Sequence, residues 1–106
     1  MKRIYFLSSC DKCRRILSQT ENLDDFQLID VKKEVIDAKT LDFLYSKTKS
    51  YEKLFNKRAQ KYKLNKIKES IKTDLDYRNL ILSEYTFLKR PIMINENEVK
   101  IEKINV

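Results

Sequence analysis

Both cysteines of the chain fall in one short stretch, FLSSCDKCRR at residues 6–15, as Cys10 and Cys13. A cysteine is a nucleophile only as the thiolate, and a free thiol with a pKa of about 8.5 supplies little of it at neutral pH. Placement at a helix N-terminus lowers that value through unpaired N–H groups and the positive end of the helix dipole. Lys12, Arg14 and Arg15 add positive charge nearby, so Cys10 is the candidate activated thiol. Cys13, one turn further on, is more shielded and within disulfide reach, which suits a resolving partner. The plainer alternative makes Cys13 a small core residue and Cys10 a bystander. Two cysteines cannot complete the four-ligand shell of a structural zinc site, and the chain has no histidine, so no metal is expected. Disulfide-stapled secreted domains use more cysteines, and the apolar run Ile4–Leu7 is too short for a signal peptide. What remains is a redox pair in a reducing cytoplasm.

The elements that must position this pair can be read from the surrounding pattern. Arg3–Leu7 (RIYFL) reads as a buried strand, and Ser8-Ser9 as a helix cap. Cys13, Ile16 and Leu17 recur at helical spacing, predicting a helix from about Asp11 to Gln19. Phe26–Val31 (FQLIDV) reads as a second strand, and the βαβ unit so formed favours parallel pairing. From about 39 to 85 the period becomes helical: Leu41, Leu44 and Tyr45 mark one face, Ser50 opens a short helix with Leu54 and Phe55, and Thr73 with Asp76 resembles a capping box. After Pro91, the runs Ile92–Ile94 and Val99–Ile101 around Asn95-Glu96-Asn97 read as a β-hairpin. The expected fold is α/β, one domain over 1–106, of order β-α-β-α-α-α-β-β around a small mixed sheet.

Composition limits the chemistry further. At 106 residues, with 42% hydrophobic and 37% charged residues, the chain has room for one modest core. No apolar run is long enough to span a membrane. The net charge of +7 favours anionic partners, but cations and acids are interspersed as on an ordinary solvated surface. Glycine is absent, which excludes glycine-rich phosphate loops and the nucleotide chemistry that depends on them.

Three segments, YFLSSCDKCRR, SYEKLFNKRAQKYK at 50–63 and TFLKRPIMI at 86–94, together resemble the thioredoxin-fold family that contains glutaredoxin-coupled arsenate reductases and Spx-type transcription regulators. The resemblance implies Cys10 as nucleophile, Cys13 as second cysteine, and Pro91 as a cis-proline preceded by a functional arginine, Arg90. It places Arg58 in the asparagine-x-arginine segment and Lys103 at a third basic position. Arg14, Arg58, Arg90 and Lys103 are therefore the candidate oxyanion-binding residues; charged donors are what a tetrahedral oxyanion under thiolate attack requires. The implied activity is that of an arsenate reductase-like thiol–disulfide oxidoreductase acting on a small oxyanion or oxidised thiol. It would have no tightly bound cofactor, with glutathione and glutaredoxin, or thioredoxin, as electron donor. The alternative is an Spx-like redox sensor in which the cysteine pair switches shape and the basic surface contacts RNA polymerase. Relatives of this kind continue into a final helix that covers the sheet; without it one sheet face is expected to be open, or covered by dimerisation or a shifted helix.

Overall fold

The first strand, β1 (Lys2–Phe6), lies inside a five-stranded mixed sheet of order β2-β1-β3-β4-β5 in the computed structural model, which describes residues 1–64 and 66–106. β1 pairs in parallel with β2 (Gln27–Asp30), with Ile4 opposite Leu28. On its other side it pairs antiparallel with β3 (Ile92–Asn95), with Ile4 opposite Met93. β3 continues antiparallel to β4 (Glu98–Ile101), and β4 to the two-residue β5 (Ile104–Asn105). The parallel pair needs a crossover, supplied by α1 (Asp11–Ser18). The described residues form two compact units: Met1–Glu34 with Arg90–Val106, and Val35–Lys89.

In the first unit, alternation along the strands separates two sheet faces. Tyr5, Ile29, Ile92, Ile94, Val99 and Ile101 form a buried face. Lys2, Ile4, Phe26, Leu28, Met93, Asn95 and Lys100 lie on the other, where only Ile4 is fully buried. The hairpin and the helix crossover stand as expected from sequence, and β5 is an addition to the expected order. It pairs across the Glu102–Lys103 turn, and Val106 N–H donates to the Val99 carbonyl (3.0 Å).

The second unit contains α2 (Ala38–Thr48), α3 (Gln60–Leu64) and α4 (Asp74–Ser83), joined by 3₁₀ turns at Glu52–Leu54 and Ile67–Ser70. Asp37 caps α2 by accepting from Thr40 N–H (3.0 Å), while Asp76 in the first turn of α4 accepts from Thr73 N–H (3.0 Å) as part of the expected capping box, which is formed. The short helix expected to open at Ser50 is a single 3₁₀ turn, and the α-helix begins ten residues later. Asp74 caps this turn by accepting the N–H groups of Tyr51 (2.9 Å) and Glu52 (3.1 Å). The turn ends at Phe55, which is extended (φ −88°, ψ 132°) and bridges antiparallel to Leu88, with Asn56 N–H donating to the Phe87 carbonyl (2.7 Å) and Lys89 N–H to the Leu54 carbonyl (2.9 Å). Tyr51, Leu54 and Phe55 are core residues, as expected. Phe55 stacks on Phe87 with centroids 5.1 Å apart, and meets Tyr62 and Tyr77 edge-on.

Candidate active site

The loop after β1 turns sharply at Leu7, whose carbonyl accepts the Cys10 N–H (3.0 Å). Cys10 has extended backbone angles (φ −95°, ψ 116°) and is itself the N-cap of α1. Capping by Ser8-Ser9 is thus corrected: the helix starts at Asp11, so the capping position falls on the cysteine. Ser8 is tied elsewhere. The Asp30 carboxylate, at the end of β2, accepts from Ser8 N–H (3.4 Å) and Lys32 N–H (3.2 Å), and the Ser8 hydroxyl also stabilises its charge. These contacts hold the Asp30 carboxyl below its ordinary value, the Ser8 hydroxyl contributing most. Sequence reading missed Asp30 because its partner is 22 residues away; its only local signal was a carboxylate ending a strand.

The two thiols are free and unequal: Cys10 is partly exposed and Cys13 fully buried. Burial works against a Cys10 thiolate. It is outweighed by the Cys13 backbone N–H, the Cys13 thiol, the charge of Arg90 and the Lys12 N–H, so Cys10 lies below its ordinary value. Burial pushes Cys13 up to about 11, and its hydrogen bond with Cys10 and repulsion from Cys10 add to the rise; the Leu7 backbone and Arg90 oppose it.

The cations suggested by sequence occupy different places. Arg90 is half-buried in the same unit as the cysteines and acts electrostatically on both. It precedes buried Pro91 through a cis peptide, and the Pro91 carbonyl accepts the Glu102 N–H (2.8 Å). Arg14 is exposed on α1 and paired with Asp11. Lys12 pairs with Glu102 (3.1 Å). Lys103 is exposed in the β4–β5 turn and, with Pro91, borders a groove of the same unit. Arg58 belongs to the second unit, exposed, with its N–H held by the Asn56 side chain (3.1 Å). Among the described residues, no group of three or more acidic or cysteine side chains could hold a metal ion, and no helix is long and apolar enough to cross a membrane.

A parallel β-α-β unit with a thiol at the helix start, completed by an antiparallel hairpin behind a cis-proline, defines a thioredoxin-like fold. Solved structures agree. An arsenate reductase from Vibrio cholerae matches with a TM-score of 0.79 at 19% identity, over 94% of this chain and 87% of that one. A possible arsenate reductase from Streptococcus mutans matches at 0.76 and 26%, over 95% and 89%. An arsenate reductase-related protein from Brucella melitensis matches at 0.69 and 23%, over 94% and 84%. No curated protein matches in sequence. The ArsC family model matches residues 5–101, and the chain belongs to the ArsC family. Membership places it, at family level, among arsenate reductase-like thiol oxidoreductases.

Proposed function

We propose that the chain is a cytoplasmic thiol–disulfide oxidoreductase that reduces a tetrahedral oxyanion of the arsenate kind, with Cys10 as nucleophile and Cys13 as resolving thiol. The observation that carries this reading is the inequality of two adjacent thiols, one stabilised as thiolate and one held as thiol. The Cys10 thiolate attacks arsenic(V), forming an S–As bond while an arsenate hydroxyl takes a proton from solvent and leaves as water. Arg90 and the N–H groups at the start of α1 neutralise the bound oxygens. Bond formation removes the negative charge of Cys10, and with it the repulsion that raises Cys13. Cys13 then loses its proton and attacks the Cys10 sulfur. The S–As electron pair stays on arsenic, releasing arsenite and leaving a Cys10–Cys13 disulfide, a two-electron reduction matched by oxidation of two thiols. A dithiol donor such as glutaredoxin or thioredoxin, or two glutathiones, restores the pair by exchange.

The test is arsenite formation from arsenate with a thiol donor. Wild type should turn over, Cys10→Ser should be inactive, and Cys13→Ser should keep activity only where glutathione can replace the missing thiol. Absence of arsenite with every donor would overturn the reading.

A further inference from the structure

The first unit carries a groove of about 580 Å³ between α1 and the less buried sheet face. Its floor is apolar and only partly buried: Ile16 and Leu17 of α1, Phe26, and Met93 of β3 beside Ile4. In register with Ile4 on the same face, Leu28 is 45% exposed. The charges around this floor are not mixed evenly. Glu21 and Asp25 stand at one corner, beside the start of β2, and Lys100 and Lys103 at the diagonally opposite one, in β4 and the turn after it. Glu102, also on the rim, is already matched by Lys12, and Lys2, near the acidic corner, lies over the Phe26 ring. Asp25 and Lys100 are three strand spacings apart across the sheet and about three residues along it, roughly 17 Å.

A partner of a single charge sign would be attracted at one corner and repelled at the other. A second copy of the face, turned through a two-fold axis, satisfies both at once, since each acidic corner then meets a basic one and the apolar floors face each other. We propose that two copies of this chain pair through this groove, with Lys100 and Lys103 of each copy against Glu21 and Asp25 of the other. The pairing uses groups outside the thiol pair, and its test reads association, not turnover.

Sedimentation velocity or light scattering across the micromolar range tests it. Wild type should dimerise, more weakly as salt rises. The variant Lys100→Glu/Lys103→Glu and the variant Glu21→Lys/Asp25→Lys should each lose self-association by about tenfold or more. Mixed together, the two should form a one-to-one heterodimer, and the fourfold variant carrying both reversals should dimerise again. Recovery on mixing requires both variants to be folded, so misfolding cannot imitate the result. A monomeric wild type, or variants that self-associate as well as wild type, would overturn the proposal.

Discussion

At neutral pH, iodoacetamide should label Cys10 well ahead of Cys13, and the size of the gap follows from the site. With its thiol raised to about 11, Cys13 is about 0.01% ionised at pH 7. Cys10, held below 9.0, is at least about 1% ionised. The hundredfold ratio in thiolate is partly offset, because nucleophilicity grows with basicity at a slope of about 0.4–0.5, returning roughly six- to tenfold to Cys13 across that gap. A margin of about tenfold therefore remains from ionisation alone, and full burial of Cys13 widens it. The measurement is direct because Lys12 separates the cysteines: tryptic digestion after timed alkylation leaves them on different peptides for mass spectrometry. Two variants probe the cause. Replacing Cys13 by Ala removes the thiol that donates to Cys10 and should raise the pH at which Cys10 becomes reactive, while Ser, which keeps a donor, should raise it less. Arg90→Gln should raise it as well. Equal labelling, or faster labelling of Cys13, would show that the helix start does not activate Cys10.

The raised Cys13 also makes stability depend on pH. The unfolded thiol ionises near 9 and the folded one near 11, so the native state binds more protons between these values; stability is intact below about pH 9 and falls by about 2–3 kcal/mol towards pH 11. Urea melts should show a steeper fall in wild type than in Cys13→Ala, in which the raised Tyr51, Tyr77, Lys57 and Lys61 still give a slope of the same sign. Asp30→Ala strips the Ser8 and Lys32 N–H groups of their acceptor and should cost about 1 kcal/mol, read as a Tm several degrees lower, with Cys10 alkylation slowed; Asp30→Asn, which retains an acceptor, should recover most of both. Lys49 ends α2 in the left-handed region (φ 62°, ψ 17°), its N–H bonded to the Tyr45 carbonyl (2.7 Å). Lys49→Gly should stabilise the fold by about 0.5–1 kcal/mol in the same denaturation assay; no gain would mean that the backbone there is unstrained.

What could be read from sequence was whatever repeats within a few residues. The spacing of Cys13, Ile16 and Leu17 located α1 because one helix face must bury, and the alternation of Ile92, Ile94, Val99 and Ile101 located the hairpin because a strand has two faces. Glycine, the usual marker of left-handed turns, is absent, so those positions are filled by Asn22, Lys49, Lys66, Glu96 and Glu102, and lysine or glutamate does not announce a turn. β5 stayed hidden for that reason: Glu102 makes its turn, and two residues are too few to show alternation. The middle segment looked continuously helical because 3₁₀ turns present apolar residues at nearly the same interval, and the pairing that interrupts it, Phe55 with Leu88, joins residues more than 30 apart in sequence. Within the site the cysteine pair was legible from its motif and Arg90 with its cis-proline from the resemblance, whereas the serines were misplaced by one capping position.

The strand order has a consequence for the chain as it is made. β1 is synthesised well before one of its two partners, β3, with Lys2 opposite Asn95. Contacts so distant in sequence form late, and β1 must wait for β3 during synthesis. Arg90 arrives with that same late segment. The part of Cys10's activation that depends on its charge is therefore missing from the nascent chain. Until β3 has been made and docked, the thiol lacks its arginine partner, and its full reactivity is conferred only by closure of the sheet.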